Sequence, residues 1–145
     1  MQPLLPCRPL TGIVALALLP LAACGPNRPP VYPVSGQVFY GGKPTPGALV
    51  VFHPAGTEDP LAPRPSGQVQ EDGSFTLTTY EPGDGAPEGE YDVAIVWIPE
   101  NAQPNPKTAE VPNRLPPRYA APQTSGLRVK VEKQTNHLPP FQLTR

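Results

Sequence analysis

Short runs of alternating apolar and polar residues, separated by proline and glycine, limit the folds that this chain can adopt. With 25 Pro and 13 Gly among 145 residues, the composition lies at the edge of the range of low-complexity chains. The runs nevertheless have the two-residue period of β-strands, and turn-forming residues bound them. Because no stretch beyond the N-terminal segment shows a sustained 3.6-residue apolar period, the sequence predicts an all-β protein.

Seven strands are predicted from these runs, at residues 34–40, 48–53, 67–70, 75–80, 90–98, 127–132 and 138–144. The fifth strand is the most apolar and places Val93, Ile95 and Trp97 on one face, so we expect it in the core, with Trp97 buried. The sixth strand alternates strictly, which fixes its register because a slip of one residue would bury its charges. The last strand contains Pro139 and Pro140 and therefore belongs at a sheet edge.

The first 23 residues have the organisation of a cleaved export signal. The α-amine and Arg8 precede an apolar stretch from Ile13 to Ala23. That stretch is too short to span a bilayer, since a spanning helix needs roughly 20 apolar residues. The alternative is a conventional signal peptide that is cut after Ala17.

The residues Leu21-Ala22-Ala23-Cys24-Gly25 at the end of this stretch resemble the lipobox of bacterial lipoproteins. The resemblance implies cleavage before Cys24, a thioether-linked lipid with acyl chains such as palmitate, and anchoring to a membrane of the cell envelope. Two or more acyl chains make such anchoring stable. Cys7 would leave with the signal, so Cys24 would be the single mature cysteine, without a disulfide partner. A catalytic Cys24 is the rival hypothesis, but no neighbouring His or acid suggests an activating base.

The mature chain is predicted to hold one folded domain. Residues 1–23 form the lipoprotein signal peptide, residues 24–33 the lipidated cysteine and a stiff proline-rich tether, and residues 34–145 the domain. About 110 residues suit one hydrophobic core, whereas two cores would be too small without disulfides.

Four motifs in this domain occur in a characteristic order. They are the segments Val34–Val38, Gly42–Ala48, Glu71–Phe75 and Gly89–Val93. In this order they resemble the carboxypeptidase regulatory-like domain, as it occurs in a group of small bacterial lipoproteins. The resemblance implies a seven-stranded transthyretin-like, or prealbumin-like, β-sandwich that acts as a non-catalytic accessory module.

Two activities of related domains are not implied. Transthyretin-like hydrolases of 5-hydroxyisourate end in Tyr-Arg-Gly-Ser, whereas this chain ends Phe141-Gln142-Leu143-Thr144-Arg145. Domains with Lys–Asn isopeptide bonds carry the lysine in the first strand, and residues 34–40 contain none.

The sequence contains none of the common nucleophile, zinc or nucleotide motifs, so it predicts no enzyme, no metal and no cofactor. His53 and His137 are interpreted as surface or turn residues rather than as a metal pair. The acidic cluster at 81–90 lacks the ligand spacing of a calcium site and is interpreted as a solvated turn. Without Arg8 the chain has a net charge near −2, which argues against nucleic acid as a partner.

The segment from Pro99 to Pro117 contains six prolines and few apolar residues, which predicts a long loop. One hypothesis makes it a recognition loop in which Arg114, Arg118 and Tyr119 present guanidinium groups and a ring to a polymer or a partner protein. The alternative is a proline-stiffened loop that covers an edge of the sandwich.

The predicted function is that of a lipid-anchored cell-envelope module, on the periplasmic side or in the outer membrane, that mediates protein contact or surface organisation. The predicted partners are the membrane, through Cys24, and an envelope protein or glycan. The alternative function is a carbohydrate-binding module with exposed aromatic rings. Burial of Trp97 would count against this alternative, whereas an exposed row of Trp97 with Tyr80 or Tyr119 would favour it.

Overall fold

The computed structural model describes residues 28–145, in which β-strands dominate. The strands are β1 (Val31–Tyr32), β2 (Val34–Tyr40), β3 (Lys43–Pro44), β4 (Leu49–Pro54), β5 (Ser66–Gln68), β6 (Ser74–Thr76), β7 (Ala86–Pro87), β8 (Gly89–Val96), β9 (Arg128–Val131), β10 (Asn136–His137) and β11 (Phe141–Leu143). Helix is limited within these residues to a 3-10 turn at Pro117–Ala120 and a single α-helical turn, α1, at Pro122–Ser125. The predicted all-β class is therefore confirmed. The predicted signal peptide and Cys24 lie outside the described residues.

All seven predicted strands have a counterpart, namely β2, β4, β5, β6, β8, β9 and β11. Four strands of two residues each were not predicted, because two residues are too few to show a period: β1, β3, β7 and β10. The predicted last strand begins too early, because Pro139 and Pro140 cannot donate ladder hydrogen bonds. The chain therefore pairs at β10, leaves the sheet at the two prolines, and pairs again at β11.

Two sheets contain most of the strands. In the first sheet, β2 is central and pairs in parallel with β10 and β11 on one side and antiparallel with β3 and β6 on the other. The second sheet has the order β5-β4-β8-β9 and is antiparallel throughout. A separate small sheet consists of β1 and β7.

The hydrophobic core contains side chains from both large sheets. The first sheet contributes Val34 and Val38, and the second contributes Val93 and Ile95, each at most 1% exposed. These residues alternate along β2 and β8 with more exposed neighbours, as expected for sheets with one buried face. The larger rings of the core pack in two pairs, Phe52 with Tyr91 and Phe75 with Phe141. One core between two sheets gives the described residues a sandwich-like architecture.

The strand pairing also defines the two ends of this sandwich. At one end, β1 leads into β2 and pairs with β7, which leads directly into β8; we call this the entry end. At the other, the far end, Tyr40 of β2 pairs with Leu143, and Trp97 beyond β8 hydrogen-bonds to Pro46 in the β3–β4 connection. Because β2 has seven residues, the ends are separated by roughly 20 Å.

The folded part of the chain starts earlier than the sequence predicts. Val31 and Tyr32, assigned to the tether, pair with Pro87 and Ala86. The carbonyl oxygen of Pro33 accepts a hydrogen bond of 2.8 Å from the backbone N–H of Asn136. Strand pairing therefore begins at Val31, within the segment that the sequence analysis assigns to the tether.

Candidate functional site

The long loop at the far end is bound to Trp97 by hydrogen bonds. The indole Nε1–H donates to the carbonyl oxygen of Pro46 at 2.9 Å, and the Trp97 backbone N–H donates to Oδ1 of Asn113 at 2.9 Å. The backbone N–H of Arg114 donates to the carbonyl oxygen of Trp97 at 2.9 Å, and the next residue, Leu115, is buried in the core. The C-terminal part of the loop is therefore held against the end of β8.

The face of the Trp97 ring is occupied by Arg114. The guanidinium carbon lies 5.0 Å from the ring centroid, within the range of a cation–π interaction. The ring is partly buried and packs against the core, so its predicted burial holds only in part. The other two rings of the hypothetical aromatic row lie elsewhere: Tyr119 is buried, and Tyr80 is near Arg28 at the entry end. Among these three, no exposed row of rings is formed.

Two adjoining open grooves flank the loop at the far end, and both include Gln103 and Pro112. The first has a volume of about 900 Å³ and is also lined by Pro104, Asn105, Pro106, Glu110, Val111, Asn113, Leu115, Pro117 and Ala120. The second has a volume of about 670 Å³ and is also lined by Pro46, Gly47, Glu71, Trp97, Ile98, Pro99, Glu100, Asn101, Ala102 and Arg114. Apolar, amide and charged side chains line both grooves, with Glu110 in the first and Glu71, Glu100 and Arg114 in the second. A mixture of apolar and polar groups is suited to contact with another chain.

Exposed apolar side chains are concentrated around these grooves. Within residues 28–145, four large apolar side chains are more than two-fifths exposed. Three of them belong to the far end: Leu49 pairs with the last residue of β8, Ile98 lines the second groove, and Val111 lines the first. The fourth, Leu61, lies in the loop that follows β4. Clustered exposed apolar residues are typical of contact surfaces.

The structure separates the three predicted recognition residues: Arg118 and Tyr119 contact the C-terminal residues, whereas Arg114 lies at a groove. Tyr119 is only 5% exposed, so its ring is not available to a partner. Its hydroxyl donates to the carbonyl oxygen of Thr144 at 3.2 Å and accepts hydrogen bonds from the Thr144 backbone N–H and the Arg118 guanidinium, each at 3.0 Å. Arg118 also donates to the Thr144 carbonyl at 2.8 Å. Arg118 and Tyr119 thus hold the C-terminal strand, and only Arg114 lies at a groove.

The pKa of Tyr119 reflects these hydrogen bonds. Burial raises the pKa of the phenol, but the hydrogen bonds from Thr144 and Arg118 and the nearby guanidinium charge outweigh burial and lower the pKa below its ordinary value. Sequence reasoning missed this role because Thr144 lies 25 residues away along the chain.

The segment that follows the long loop packs against β8 of the second sheet. β9 pairs with residues 89–92 of β8, and the 3-10 turn and α1 pack beside β8. Residues 117–125 contact β8, while residues 103–106 and 110–113 of the long loop line the first far-end groove together with Pro117 and Ala120.

The two histidines belong to different sheets and do not form a pair. His137 of β10 lies with Nδ1 at 2.9 Å from Oγ of Ser35. His53 of β4 is opposite Asp92 of β8. Burial and the positive charge of Arg64 lower the pKa of His53, and Asp92 offsets them only in part. Within residues 28–145, no group of three His, Cys, Asp or Glu side chains is arranged to hold a metal ion.

A polar pocket of about 530 Å³ beside His53 was not predicted. His53, Arg64, Asp92 and Gln123 contribute to its lining. Asp92 also forms a two-point ion pair with Arg128, at 2.8 and 3.2 Å. The lining residues come from separate parts of the chain, so no local sequence signal marks the pocket.

Asp84, in the acidic cluster, holds a turn at the entry end. Its Oδ1 accepts a hydrogen bond of 2.7 Å from the Thr79 backbone N–H, and its Oδ2 accepts bonds of 2.9 Å from the N–H groups of Tyr80 and Glu81. Burial raises the pKa of Asp84, but these backbone donors together outweigh burial and lower it below the ordinary value. The carboxylate therefore acts as a turn-stabilising acceptor.

Replacing Asp84 by Asn is expected to cost about 1 kcal/mol at neutral pH, a value reduced for the solvent exposure of the turn. Because the folded pKa is depressed, the stabilisation is present above the unfolded pKa, about 3.9, and is lost as the pH falls through the folded pKa. Urea unfolding from pH 7 to pH 2 should show the two stabilities converging in acid. Glu81→Gln, in the same turn, is the control and should have little effect. A constant difference across this pH range would contradict the assignment.

No helix within residues 28–145 has both the length and the apolar character needed to cross a membrane.

Comparison with known proteins gives limited similarity. No protein-family model matches the chain, and no curated protein matches it. Among solved structures, a DUF3823 family protein from Parabacteroides merdae ATCC 43184 is similar, with 17% identity and a TM-score of 0.37 over 81% of this chain and 46% of that one. A 9R-lipoxygenase from Cyanothece PCC8801 is similar with 17% identity and a TM-score of 0.39, over 81% of this chain and 17% of that one. The chain thus spans less than half the length of either protein.

Proposed function

We propose that this chain is a lipid-anchored module of the bacterial cell envelope that catalyses no reaction and contacts a partner protein through its far end. The observation that carries the proposal is the exposed apolar surface at the far end, where Ile98 and Val111 line two adjoining grooves and Leu49 is opposite the last residue of β8. Exposed apolar surface does not stabilise a domain in water, whereas contact with a partner protein buries that surface.

The position of the tether supports the same function. Cys24, the proposed lipidation site, precedes the first strand, Val31–Tyr32, by seven residues. A chain held to the membrane at Cys24 therefore has its entry end towards the bilayer. The far end, roughly 20 Å away along β2, then points away from the membrane and is open to neighbouring proteins.

We further propose that the fold is the transthyretin-like sandwich of the carboxypeptidase regulatory-like domain. Two turns that belong to the resemblance support this proposal. Gly41 and Gly42, with φ of 58° and 77°, connect β2 to β3, and Gly73, with φ of 86°, lies in the turn before β6. Glycine adopts such positive φ angles without the steric penalty of a Cβ atom.

The proposal that the chain catalyses no reaction rests on the hydrogen bonds of three polar side chains that the sequence analysis considers. The Tyr119 hydroxyl is bound to Thr144, His137 to Ser35, and the Asp84 carboxylate to backbone N–H groups. These contacts assign structural roles to all three. A carbohydrate platform has less support, because Arg114 covers the face of Trp97.

The test is site-specific photocrosslinking of the full chain in intact cells. A photoreactive phenylalanine at Ile98 or at Val111 should form an adduct with the same protein, since both positions border the grooves. The matched control is Lys130, an exposed side chain on β9 away from the far end, which should not give this adduct. Identical adducts at all three positions, or none at Ile98 and Val111, would overturn the proposed contact.

A further inference from the structure

We propose that residues 55–65, the β4–β5 loop, contact the lipid bilayer through Leu61, so that the domain stands with its entry end against the membrane. This inference rests on the proposed anchor at Cys24. It concerns a different end of the molecule from the grooves and predicts a contact with lipid rather than with protein.

The β4–β5 loop leaves the sandwich at the entry end. β4 ends at Pro54, opposite Tyr91 near the start of β8. The backbone N–H of Ala55 then donates to the carbonyl oxygen of Glu90 at 2.8 Å. Since β8 directly follows β7, the partner of β1, the loop and the entering chain leave the sandwich at the same end.

Leu61 is presented by a hydrogen-bonded turn. Its side chain is 89% exposed, about twice the fraction of the next most exposed large apolar side chain, Ile98 at 44%. Oδ1 of Asp59 accepts a hydrogen bond of 2.9 Å from the Leu61 backbone N–H, and the Asp59 carbonyl accepts one of 3.1 Å from Ala62. These hydrogen bonds hold the turn in a conformation that exposes the apolar Leu61 side chain to water, which does not stabilise the fold. Contact with acyl chains removes that surface from water.

The length of the tether identifies lipid as the occupant. Val31 lies seven positions after Cys24, and a fully extended chain over these seven steps spans about 25 Å at most. An anchored domain therefore keeps its entry end close to the bilayer at all times. The short tether gives Leu61 a high effective concentration at the lipid surface, which favours this contact.

The charges of the loop exclude electrostatic attraction as the basis of this contact. Glu58 and Asp59 precede Leu61, and Arg64 follows it, which leaves the loop with one net negative charge. Anionic headgroups would repel such a loop. The contact therefore depends on insertion of the leucine at the boundary of headgroups and acyl chains, and anionic lipid should weaken it.

The test uses tryptophan quenching in the lipidated full-length chain, reconstituted into phosphatidylcholine vesicles with brominated acyl chains. Trp97 is the single tryptophan of the chain, and its position at the far end makes the unmodified protein a control without quenching. In Leu61→Trp, the added emission should fall roughly twofold, because the ring lies at the boundary of the acyl chains. Val111→Trp, at a far-end groove, is the matched variant and should not be quenched.

The outcomes separate this inference from the proposed function. If the protein does not float with the vesicles, the anchor at Cys24 fails, and the orientation fails with it. If the protein floats but Leu61→Trp is quenched no more than Val111→Trp, the lipid contact is overturned and the anchor stands. Stronger quenching of Leu61→Trp that decreases when phosphatidylglycerol is added supports the proposed contact. Quenching that increases with phosphatidylglycerol would overturn it.

Discussion

Replacing Gly85 by Ala is expected to destabilise the domain by about 3 kcal/mol or more, because the substitution combines overpacking with a strained backbone. Gly85 has φ of 98°, a value that residues with a side chain rarely adopt. A Cβ atom there would overlap the carbonyl oxygen of Tyr32 and lie 2.8 Å from Cα of Pro33. Close contact between the entry strand and the turn before β7 therefore requires glycine. Urea unfolding of the mature chain measures the change.

Gly83 provides a matched control in the same turn. It also has positive φ, 73°, but a Cβ atom at this position would meet nothing closer than Cγ2 of Thr76, at 3.9 Å. Gly83→Ala should therefore cost about 1 kcal/mol, from backbone strain alone. An equal loss of stability in both variants would mean that residues 31–33 do not pack against the turn.

Replacing Cys24 by Ala is expected to abolish the incorporation of labelled palmitate into the protein. The proposed lipid is attached through the sulfur of Cys24, so the variant has no acceptor for it. Cys7→Ala is the control, since Cys7 lies within the predicted signal and should not affect labelling. Labelling of Cys24→Ala at the level of the unmodified protein would contradict lipidation at this position. Gel electrophoresis with detection of the label measures both variants.

The long strands and the tight turns could be predicted from the sequence. Residues 34–40 match β2 at both ends, because alternation and the following Gly41-Gly42 pair are local signals. The turn at Asp72 and Gly73 was predicted for the same reason, and Asp72 supports it by accepting hydrogen bonds from the backbone N–H and the hydroxyl of Ser74.

The features that depend on distant partners could not be predicted. β1 and β7 have two residues each, and only their pairing with each other defines them. Tyr119 looks like an exposed loop residue until Thr144 is brought beside it by the fold. The second groove is lined by Trp97 and by Pro46, which lies 51 residues earlier in the chain. Each of these features follows from tertiary contacts that no local pattern encodes.

The two ends of the sandwich have different surroundings in the proposed arrangement. The entry end carries the tether and the exposed Leu61, whereas the far end carries the grooves around Trp97 and Arg114. Membrane contact and partner contact are then separated by roughly the length of β2. Substitutions at one end should leave the other contact unchanged, since no described residue is shared by both.

The most direct measurement is the mass of the N-terminal peptide of the protein purified from membranes. Lipidation predicts a peptide that starts at Cys24 and carries the mass of a diacylglyceryl group and a further acyl chain. A peptide that starts at another residue, such as Leu18 after cleavage behind Ala17, or an unmodified Cys24, would contradict a lipid-anchored domain.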